Sequence, residues 1–426
     1  MYITDIHIKN IQCFEDVTIL INKNEKPCLW NVILGDNSSG KSCLLRCLAI
    51  GLCDQGTATT LMRSLGVDFL REKDRTGSIE LTLVDHKLSE KYTIRTEIAE
   101  EHGEEIIIKK DIDGKEEEYW KKLFICGYGV QRSGEADESY KEYRRLEAVL
   151  SLFAYDAHLQ NIELILHRQP QDVQEHLFTV LRRILMLDEN CHIKLTNKGI
   201  RFVIDGTEVE LDAIGDGYSG TMTWILDFVG WQIYAGRLVD AKNLYDLSGI
   251  VLLDELELTL HPRLQRYIAK KLREHFPKVQ FVVTSHSPII AAGAGDFDDA
   301  KLLALKLEGS KTNLIDRIPS LRGMSIDQVL STVAFGLYTT VSLGSVNDID
   351  RFSELMCKKR NEKEEEEYQQ LMNTLEEKFQ TGKTDAERLI EKAVTKTLEN
   401  MLSRKPSREF ELLMKEKLNK LFNYEA

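Results

Sequence analysis

The chain has 426 residues, of which 42% are hydrophobic and 29% are charged, and its formal net charge is −13. This composition is typical of a globular protein with a sizeable core, and it disfavours a surface that is basic on every side for nucleic acid. The sequence has no apolar run of about 18 residues, no leader-like start and no paired cysteines at metal-ligand spacing, so we expect a cytoplasmic protein without membrane spans, disulfides or zinc.

The first predicted elements are two strands that lead into a strand, a loop and a helix. Residues 2–11 and 16–21 alternate apolar and polar side chains, which is the period of a half-buried strand. A short apolar run at 31–35 follows, and apolar residues at helical spacing occupy 43–50. The loop between this strand and this helix is rich in glycine and serine.

The middle of the chain predicts an antiparallel sheet followed by helices. Strand-like runs between residues 78 and 110 precede a hairpin signal at Asp113-Gly114, as in a β-meander beside a nucleotide-binding core. Helical periodicity dominates residues 138–190, where we expect an inserted helical subdomain.

The second half alternates strands and helices. Apolar strands at 250–254 and 279–284 flank a helical segment, which predicts a parallel sheet with right-handed crossovers. From residue 348 the charge density rises while apolar residues recur at helical spacing. We therefore predict an α/β domain at 1–347 and a C-terminal helical region at 348–426.

Residues 35–42, here called the phosphate loop, match G-x-x-x-x-G-K-[ST] in full between a strand and a helix. The glycines let backbone N–H groups turn toward phosphates, and the helix N-terminus adds partial positive charge. Lys41 is expected to bridge the outer phosphates, and Ser42 is expected to give its hydroxyl to Mg²⁺. The predicted phosphate-binding residues are Asn37, Ser38, Ser39, Gly40, Lys41 and Ser42.

Asp254 and Glu255, here called the acidic pair, end an apolar strand. Two acids at a strand end are common, but after a complete phosphate loop they predict that Asp254 orients Mg²⁺ and Glu255 polarises the attacking water. His286 follows the strand at 279–284, at the sheet edge where ligands bind in α/β folds, and is expected to contact the terminal phosphate.

This order of motifs resembles the ABC-type ATPase heads of SMC, RecF and OLD-type proteins, over most of residues 1–345. The resemblance implies an ATPase head with a parallel sheet, an antiparallel β-subdomain, an inserted helical subdomain and C-terminal helices, with ATP and Mg²⁺ as its cofactors. A Q-loop glutamine near the catalytic metal also belongs to these families, and Gln131 after the strand at 123–127 is the candidate. A surface-loop role for Gln131 is the open alternative.

In these families a signature segment caps the ATP held by a second protomer, so that ATP joins two heads into a dimer. The corresponding residues 214–218 read Ile-Gly-Asp-Gly-Tyr, with Gly215, Asp216 and Gly217 as the implied nucleotide contacts. Gly215 replaces the family's serine, which removes one hydrogen bond to a charged group and implies slower hydrolysis or weaker dimerisation. An ordinary glycine-rich helix start is the alternative interpretation.

Several phrases, among them GYGVQR, DELELTLHP and SIDQVLSTVAFGL, resemble stand-alone ATPases of bacterial anti-phage operons of the Septu and retron kinds. The interval from Lys41 to Gly215 is too short for long coiled-coil arms, and it lacks the heptad pattern that they need. No Toprim nuclease pattern occurs in the last 80 residues. The resemblance implies a homodimer or higher oligomer that controls a separate nuclease effector of the HNH type.

The C-terminal stripe of Leu389, Val394 and Leu398 is the expected docking surface for that effector, with packing onto the head as the alternative. A RecF-like DNA-repair ATPase that clamps duplex DNA is the second hypothesis. It requires that the basic clusters at 144–145, 182–183 and 270–273 line one surface. An ABC transporter subunit is disfavoured.

Overall fold

The computed structural model describes residues 1–85, 87, 90–113, 116–132, 142–197, 199–210, 214–238, 241–337, 343–356, 358 and 360–378. The chain divides into two compact units, Met1–Tyr338 and Thr339–Ala426. Within the described ranges, no helix has the length and apolar character needed to cross a bilayer. The predicted docking stripe of Leu389, Val394 and Leu398 lies outside the described residues and stays a prediction.

The strands are β1 (Tyr2–Ile11), β2 (Phe14–Leu20), β3 (Asn22–Lys23), β4 (Lys26–Pro27), β5 (Trp30–Gly35), β6 (Gly77–Val84), β7 (Lys91–Glu101), β8 (Glu104–Asp113), β9 (Ile125–Tyr128), β10 (Cys191–Thr196), β11 (Gly199–Ile204), β12 (Thr207–Glu210), β13 (Ser248–Leu253), β14 (Lys278–Ser285), β15 (Ala300–Glu308) and β16 (Lys311–Ile315). The helices are α1 (Lys41–Leu52), α2 (Gln55–Ser64), α3 (Glu116–Lys122), α4 (Arg145–Val149), α5 (Ile162–Leu166), α6 (Gln171–Ile184), α7 (Asp216–Tyr234), α8 (Pro262–His275), α9 (Pro288–Ala294), α10 (Ile326–Leu330), α11 (Leu343–Met356) and α12 (Glu362–Lys378).

A six-stranded sheet in the order β16-β15-β5-β14-β13-β9 forms the centre of the first unit. The five strands from β15 to β9 are parallel, and β16 is antiparallel to β15. Their near-continuous apolar sequences fit burial on both faces. Ser285 pairs with Leu34 and Leu253 with Val283, so the carboxyl ends of β5, β14 and β13 meet at one edge. The predicted α/β class is confirmed.

A five-stranded antiparallel sheet, in the order β2-β1-β6-β7-β8, covers α1. The approach is so close that a Cβ at Gly51 would lie 2.5 Å from Leu81 Cδ1. The predicted hairpin at Asp113-Gly114 is wrong, because β8 ends at Asp113 and the next described element is the helix α3 and not a strand; Gly114 itself lies outside the described residues. The turn between β7 and β8 is made by His102 and Gly103, whose φ angles of 55° and 83° suit a tight hairpin.

The inserted segment contains the short helices α4 and α5 and the longer α6. One face of α6 buries Val173, Leu177 and Leu181 in the same apolar core as α7. The small sheet β10-β11-β12 follows it. Because α7 carries Trp224 and Phe228 inside that core, its N-terminus at the signature segment is fixed by buried packing.

The described part of the second unit is a pair of helices, α11 and α12. Phe352 stacks on Tyr368 with ring centroids 4.9 Å apart, and the Arg360 guanidinium lies 3.9 Å from the Tyr368 ring centroid. Arg351 makes a two-point ion pair with Glu367, through Nε at 2.8 Å and Nη2 at 2.9 Å. These contacts hold α11 against α12.

Candidate nucleotide-binding site

The phosphate loop has a backbone that only glycine satisfies at two positions. Gly40 has a φ of 96°, and a Cβ there would lie 2.5 Å from Cys13 Sγ. A Cβ at Gly35 would lie 2.4 Å from the carbonyl oxygen of Leu305. The loop therefore packs tightly against β15 and the turn at Cys13.

Lys41 begins α1 and folds its side chain back over the loop. Its Nζ donates to the carbonyl oxygens of Gly35 at 3.0 Å and Asp36 at 2.8 Å. Burial lowers the pKa of Lys41, while the negative charges of Asp254 and Glu255 oppose that shift. The loop thus holds a cation that faces the acidic pair.

Ser39 is the phosphate-loop residue that points away from the cavity. It is fully buried, its N–H donates to the carbonyl oxygen of Asp36 at 3.2 Å, and its own carbonyl accepts from Thr312 Oγ1 at 3.0 Å. Thr312 is itself fixed, because its N–H donates to the carbonyl oxygen of Cys13 at 2.9 Å. The structure therefore gives Ser39 a structural contact between the loop and β16, and Ser39 is not among the described residues that line the cavity, so its predicted phosphate contact stays a prediction.

A cavity of about 310 Å³ opens between the loop and the sheet edge. It is lined by Gln12, Cys13, Asn37, Ser38, Gly40, Lys41, Ser42, Cys43, Glu255 and His286. The structure thus brings together five of the six predicted phosphate-loop residues, Glu255 of the acidic pair and His286. A glycine cradle, a lysine cation and the first N–H groups of a helix suit phosphates, and hydroxyl and carboxylate oxygens are the ligands that Mg²⁺ prefers.

The acidic pair directly follows β13 and is held by β14. Thr284 Oγ1 donates to Asp254 Oδ1 at 2.6 Å and accepts from the N–H of Glu255 at 2.8 Å. Asp254 is 4% exposed, and Glu255 adopts a left-handed φ of 47°. The hydrogen bonds and this turn direct Glu255 to the cavity, whereas Asp254 is buried and is not among the described residues that line it, so its predicted metal role stays a prediction.

Glu257 and Arg132 also reach this sheet edge, and sequence reasoning missed both. The Glu257 carboxylate accepts from the backbone N–H of His286 through Oε1. Its Oε2 atom is buried without a hydrogen-bond partner among the described residues. The Glu255-x-Glu257 spacing and the position of Arg132 beside Gln131 were the available signals.

Gln131 lies three residues beyond β9, and its side chain is exposed. Among the described residues, those that line the cavity do not include it. Its neighbour Arg132 instead turns toward the acidic pair, where Nη2 donates to the carbonyl oxygen of Glu255 at 3.0 Å. The structure therefore gives no contact for the predicted metal role of Gln131, which stays a prediction.

The signature segment lies at a second cavity of about 350 Å³, which is lined by Ile214, Gly215, Gly217, Tyr218, Thr259, His261 and Leu264. Gly215 is the exposed N-cap of α7, with a φ of 113°. Asp216 is the first residue of that helix. A Cβ at Gly217 would lie 2.4 Å from the carbonyl oxygen of Thr259. The described chain therefore does not bring Gly215 or Gly217 into its own phosphate-loop cavity.

Two family models match the chain. One, described as "AAA domain, putative AbiEii toxin, Type IV TA system", matches residues 229–292, and the other, described as "AAA domain", matches residues 5–190. The "AAA domain" match includes the phosphate loop, and the match at residues 229–292 includes the acidic pair and His286.

Proteins of Septu and retron systems are also similar to the chain. The Septu protein PtuA of Bacillus mycoides (strain KBAB4) is 24% identical over 403 residues, which is 92% of this chain and 53% of that protein. The Retron Ec83 probable ATPase of Escherichia coli is 33% identical over 103 residues, which is 23% of this chain and 18% of that protein. The chain resembles AAA-type ATPases of Septu and retron systems. The resemblance predicted from the sequence phrases is confirmed.

The chain spans about half the length of the Septu relatives, since PtuA of Bacillus thuringiensis is also covered over 53% of its length, at 28% identity over 47% of this chain. Among solved structures, the chain is similar to an SMC head bound to the C-winged helix domain of ScpA. That match has a TM-score of 0.47 and 13% identity, and it covers 74% of this chain and 97% of the other.

Proposed function

We propose that the chain binds ATP with Mg²⁺ at the phosphate loop and hydrolyses it to ADP and phosphate. The observation that carries the proposal is the cavity in which Lys41, Glu255 and His286 meet. A phosphate cradle, a cation and a carboxylate at one sheet edge are the parts that phosphoryl transfer to water needs.

Each residue has a distinct proposed role. The N–H groups at the start of α1 and the Lys41 ammonium bind the phosphates, and His286 contacts the terminal one. Ser42 and Asp254 hold Mg²⁺, which would neutralise phosphate charge when it is bound. Glu255 accepts a proton from the attacking water, since its carboxylate lines the same cavity.

We further propose that a second copy of the chain completes the ATP site. The signature segment lines a cavity of its own, apart from the phosphate loop of the same chain. The exposed N-cap at Gly215 leaves the N-terminus of α7 open to a phosphate presented by another copy. Because Gly215 has no hydroxyl to donate, we expect hydrolysis to be slow.

The biological role that we propose is a cytoplasmic regulatory ATPase of an anti-phage defence complex, whose nucleotide state controls a separate nuclease of the HNH type. Similarity to Septu and retron ATPases supports the defence context. The nuclease and its release by ATP hydrolysis or depletion are implied by the resemblance alone.

The DNA-clamp hypothesis has less support. Of its basic clusters, Lys271 pairs with Glu274 at 3.2 Å, and Arg273 pairs with Asp299 at 2.5 Å. These two cations already have acidic partners, which they would have to exchange for phosphates in order to bind DNA.

The test uses the Glu255→Gln variant with ATP and Mg²⁺, in which phosphate release and mass in solution are recorded together. We expect the wild type to release phosphate and the variant to accumulate an ATP-dependent dimer. Asp254→Asn is the matched control, because it should weaken the metal site and therefore form less dimer. Equal phosphate release by wild type and Glu255→Gln would contradict the assignment.

A further inference from the structure

Arg132 lies beside the acidic pair but bonds to backbone. Its Nη2 donates to the carbonyl oxygen of Asp254 and, at 3.0 Å, to that of Glu255. Its Nε donates to the carbonyl oxygen of Gly129 at 3.0 Å. Burial lowers the pKa of Arg132 to about 10, against the opposing charges of Asp254, Glu257 and Glu255. The guanidinium is therefore still charged at neutral pH.

The choice of acceptors has a chemical consequence. A guanidinium fork normally binds a carboxylate at two points, which would occupy the oxygens that a metal or a water needs. Among the described residues, no ion pair joins Arg132 to Asp254, Glu255 or Glu257. The cation therefore offsets the repulsion between these acids while it leaves their carboxylate oxygens available.

The backbone of the acidic pair also needs support. Glu255 has a φ of 47°, in the left-handed region that residues with side chains disfavour. The N–H of Glu255 donates to Thr284 Oγ1, and its carbonyl oxygen accepts from Arg132 Nη2. The peptide units on both sides of this strained residue are thus fixed from two different elements, the strand β14 and the segment that follows β9.

We propose that Arg132 is a positioning residue that holds the acidic pair in the geometry that binds the metal and polarises water. The inference rests on the proposed ATPase function. It acts through backbone carbonyls, so Arg132 does not need to touch nucleotide or metal itself.

The chain offers a matched control in Arg237. Its guanidinium donates to the carbonyl oxygens of Ser248 at 3.3 Å and Lys122 at 3.0 Å, and it lies 5.0 Å from the ring centroid of Phe124. Burial lowers its pKa too. Arg132 and Arg237 therefore bind carbonyls at opposite ends of β13, and only the carboxyl end carries the acidic pair.

The experiment compares Arg132→Ala, Arg132→Lys and Arg237→Ala with the full-length wild type. Melting temperature, ATP hydrolysis and binding of Mn²⁺ in the presence of the non-hydrolysable analogue AMPPNP are measured, the last by electron paramagnetic resonance. We expect both alanine variants to melt at lower temperature. We expect only Arg132→Ala to lower kcat at least about tenfold, with KM for ATP within about threefold, and to weaken Mn²⁺ binding at least about threefold. Arg132→Lys should recover part of both losses, because the cation is kept.

The inference is overturned if Arg132→Ala matches Arg237→Ala in kcat and in Mn²⁺ affinity, since both arginines would then be structural only. If the wild type binds AMPPNP with Mn²⁺ and hydrolyses ATP in that case, the proposed function stands and only the role of Arg132 fails. If the wild type binds no nucleotide, the proposed function fails, and the inference fails with it.

Discussion

The hydroxyl of Thr284 and the carboxylate of Asp254 form a 2.6 Å hydrogen bond at the joined ends of β14 and β13. The same hydroxyl accepts the N–H of Glu255 at 2.8 Å. One buried side chain thus orients both members of the acidic pair. Glu255 lies 29 residues and Asp254 lies 30 residues before Thr284 in the chain.

Replacement of Thr284 by valine keeps the side-chain shape but should leave the acidic pair less well oriented, because both hydrogen bonds of the hydroxyl are lost. Valine leaves the Glu255 N–H without its buried acceptor, and we expect roughly 1–3 kcal/mol lower stability together with slower hydrolysis. Thr284→Ser keeps the hydroxyl and is the control. Denaturant unfolding and steady-state hydrolysis measure the two effects, and wild-type turnover by Thr284→Val would rule out this orienting role.

Two of the three glycines of α7, Gly217 and Gly220, should respond in opposite ways to alanine. A Cβ at Gly217 would lie 2.4 Å from the carbonyl oxygen of Thr259, whereas nothing lies within 4 Å of a Cβ at Gly220. We expect Gly217→Ala to destabilise the protein by at least about 1 kcal/mol through this clash. Gly220→Ala should stabilise it by up to about 1 kcal/mol, because alanine favours the helix. Thermal melts decide, and equal melting points would refute the close approach.

Thr312 should matter to nucleotide binding although it lies outside the cavity. Thr312→Val removes the 3.0 Å bond to the carbonyl oxygen of Ser39 and leaves that carbonyl buried. We expect a loss of about 1 kcal/mol in stability and a several-fold weaker ATP affinity, because the phosphate loop is less well held. Calorimetric titration of ATP measures this, with Thr312→Ser as the variant that should behave as wild type.

Asp227 predicts a specific dependence of stability on pH. Its carboxylate accepts from Tyr128 Oη at 2.9 Å and from the N–H of Gln160 at 2.9 Å, yet burial raises its pKa from 3.8 to about 6. At pH values between these two pKa values, Asp227 is protonated in the folded protein, whereas it has lost its proton in the unfolded chain. The contribution of Asp227 therefore falls by roughly 2–3 kcal/mol as the pH rises from about 4 through 6.

The test compares wild type with Asp227→Asn by denaturant unfolding at several pH values from about 4 to about 8, a range that covers the interval in which the folded and unfolded forms differ in protonation. The asparagine cannot titrate, so the stability difference between the two proteins should shift in favour of the variant as the pH rises. A difference that is constant with pH would show that Asp227 is already ionised in the folded state throughout the range.

The phosphate loop and the acidic pair were predictable from the sequence because each is a contiguous motif with its own local context. The loop needs only a strand before it and a helix after it, and both are visible in apolar spacing. The parallel sheet followed from the alternation of strands and helices. By contrast, Asp113-Gly114 is a strong turn dipeptide, but the dipeptide alone does not tell which elements it joins.

The supporting residues were not predictable because their contacts depend on strand order. Thr312 reaches Ser39 from 273 residues away, and Arg132 reaches Glu255 from 123 residues away. Both contacts exist only because β5 lies between β15 and β14 and because β9 pairs with β13. The neighbours Gln131 and Arg132 differ in the direction of their side chains, which no single-sequence pattern encodes.

The central claim, that two copies of the chain build each ATP site, is tested most directly by mixing two inactive variants. Lys41→Ala removes the phosphate-loop cation, and Gly215→Glu places a carboxylate at the exposed signature N-cap, where nothing lies within 4 Å of a Cβ although the φ of 113° strains any side chain. Each variant alone should be inactive. Because strain at residue 215 lowers stability, a cooperative unfolding transition above the assay temperature serves as the folding control for both variants. A mixed dimer would contain one intact site, so an equimolar mixture should regain about a quarter of wild-type hydrolysis. If the mixture stays as inactive as its components although both are folded, the ATP site is not shared between two copies.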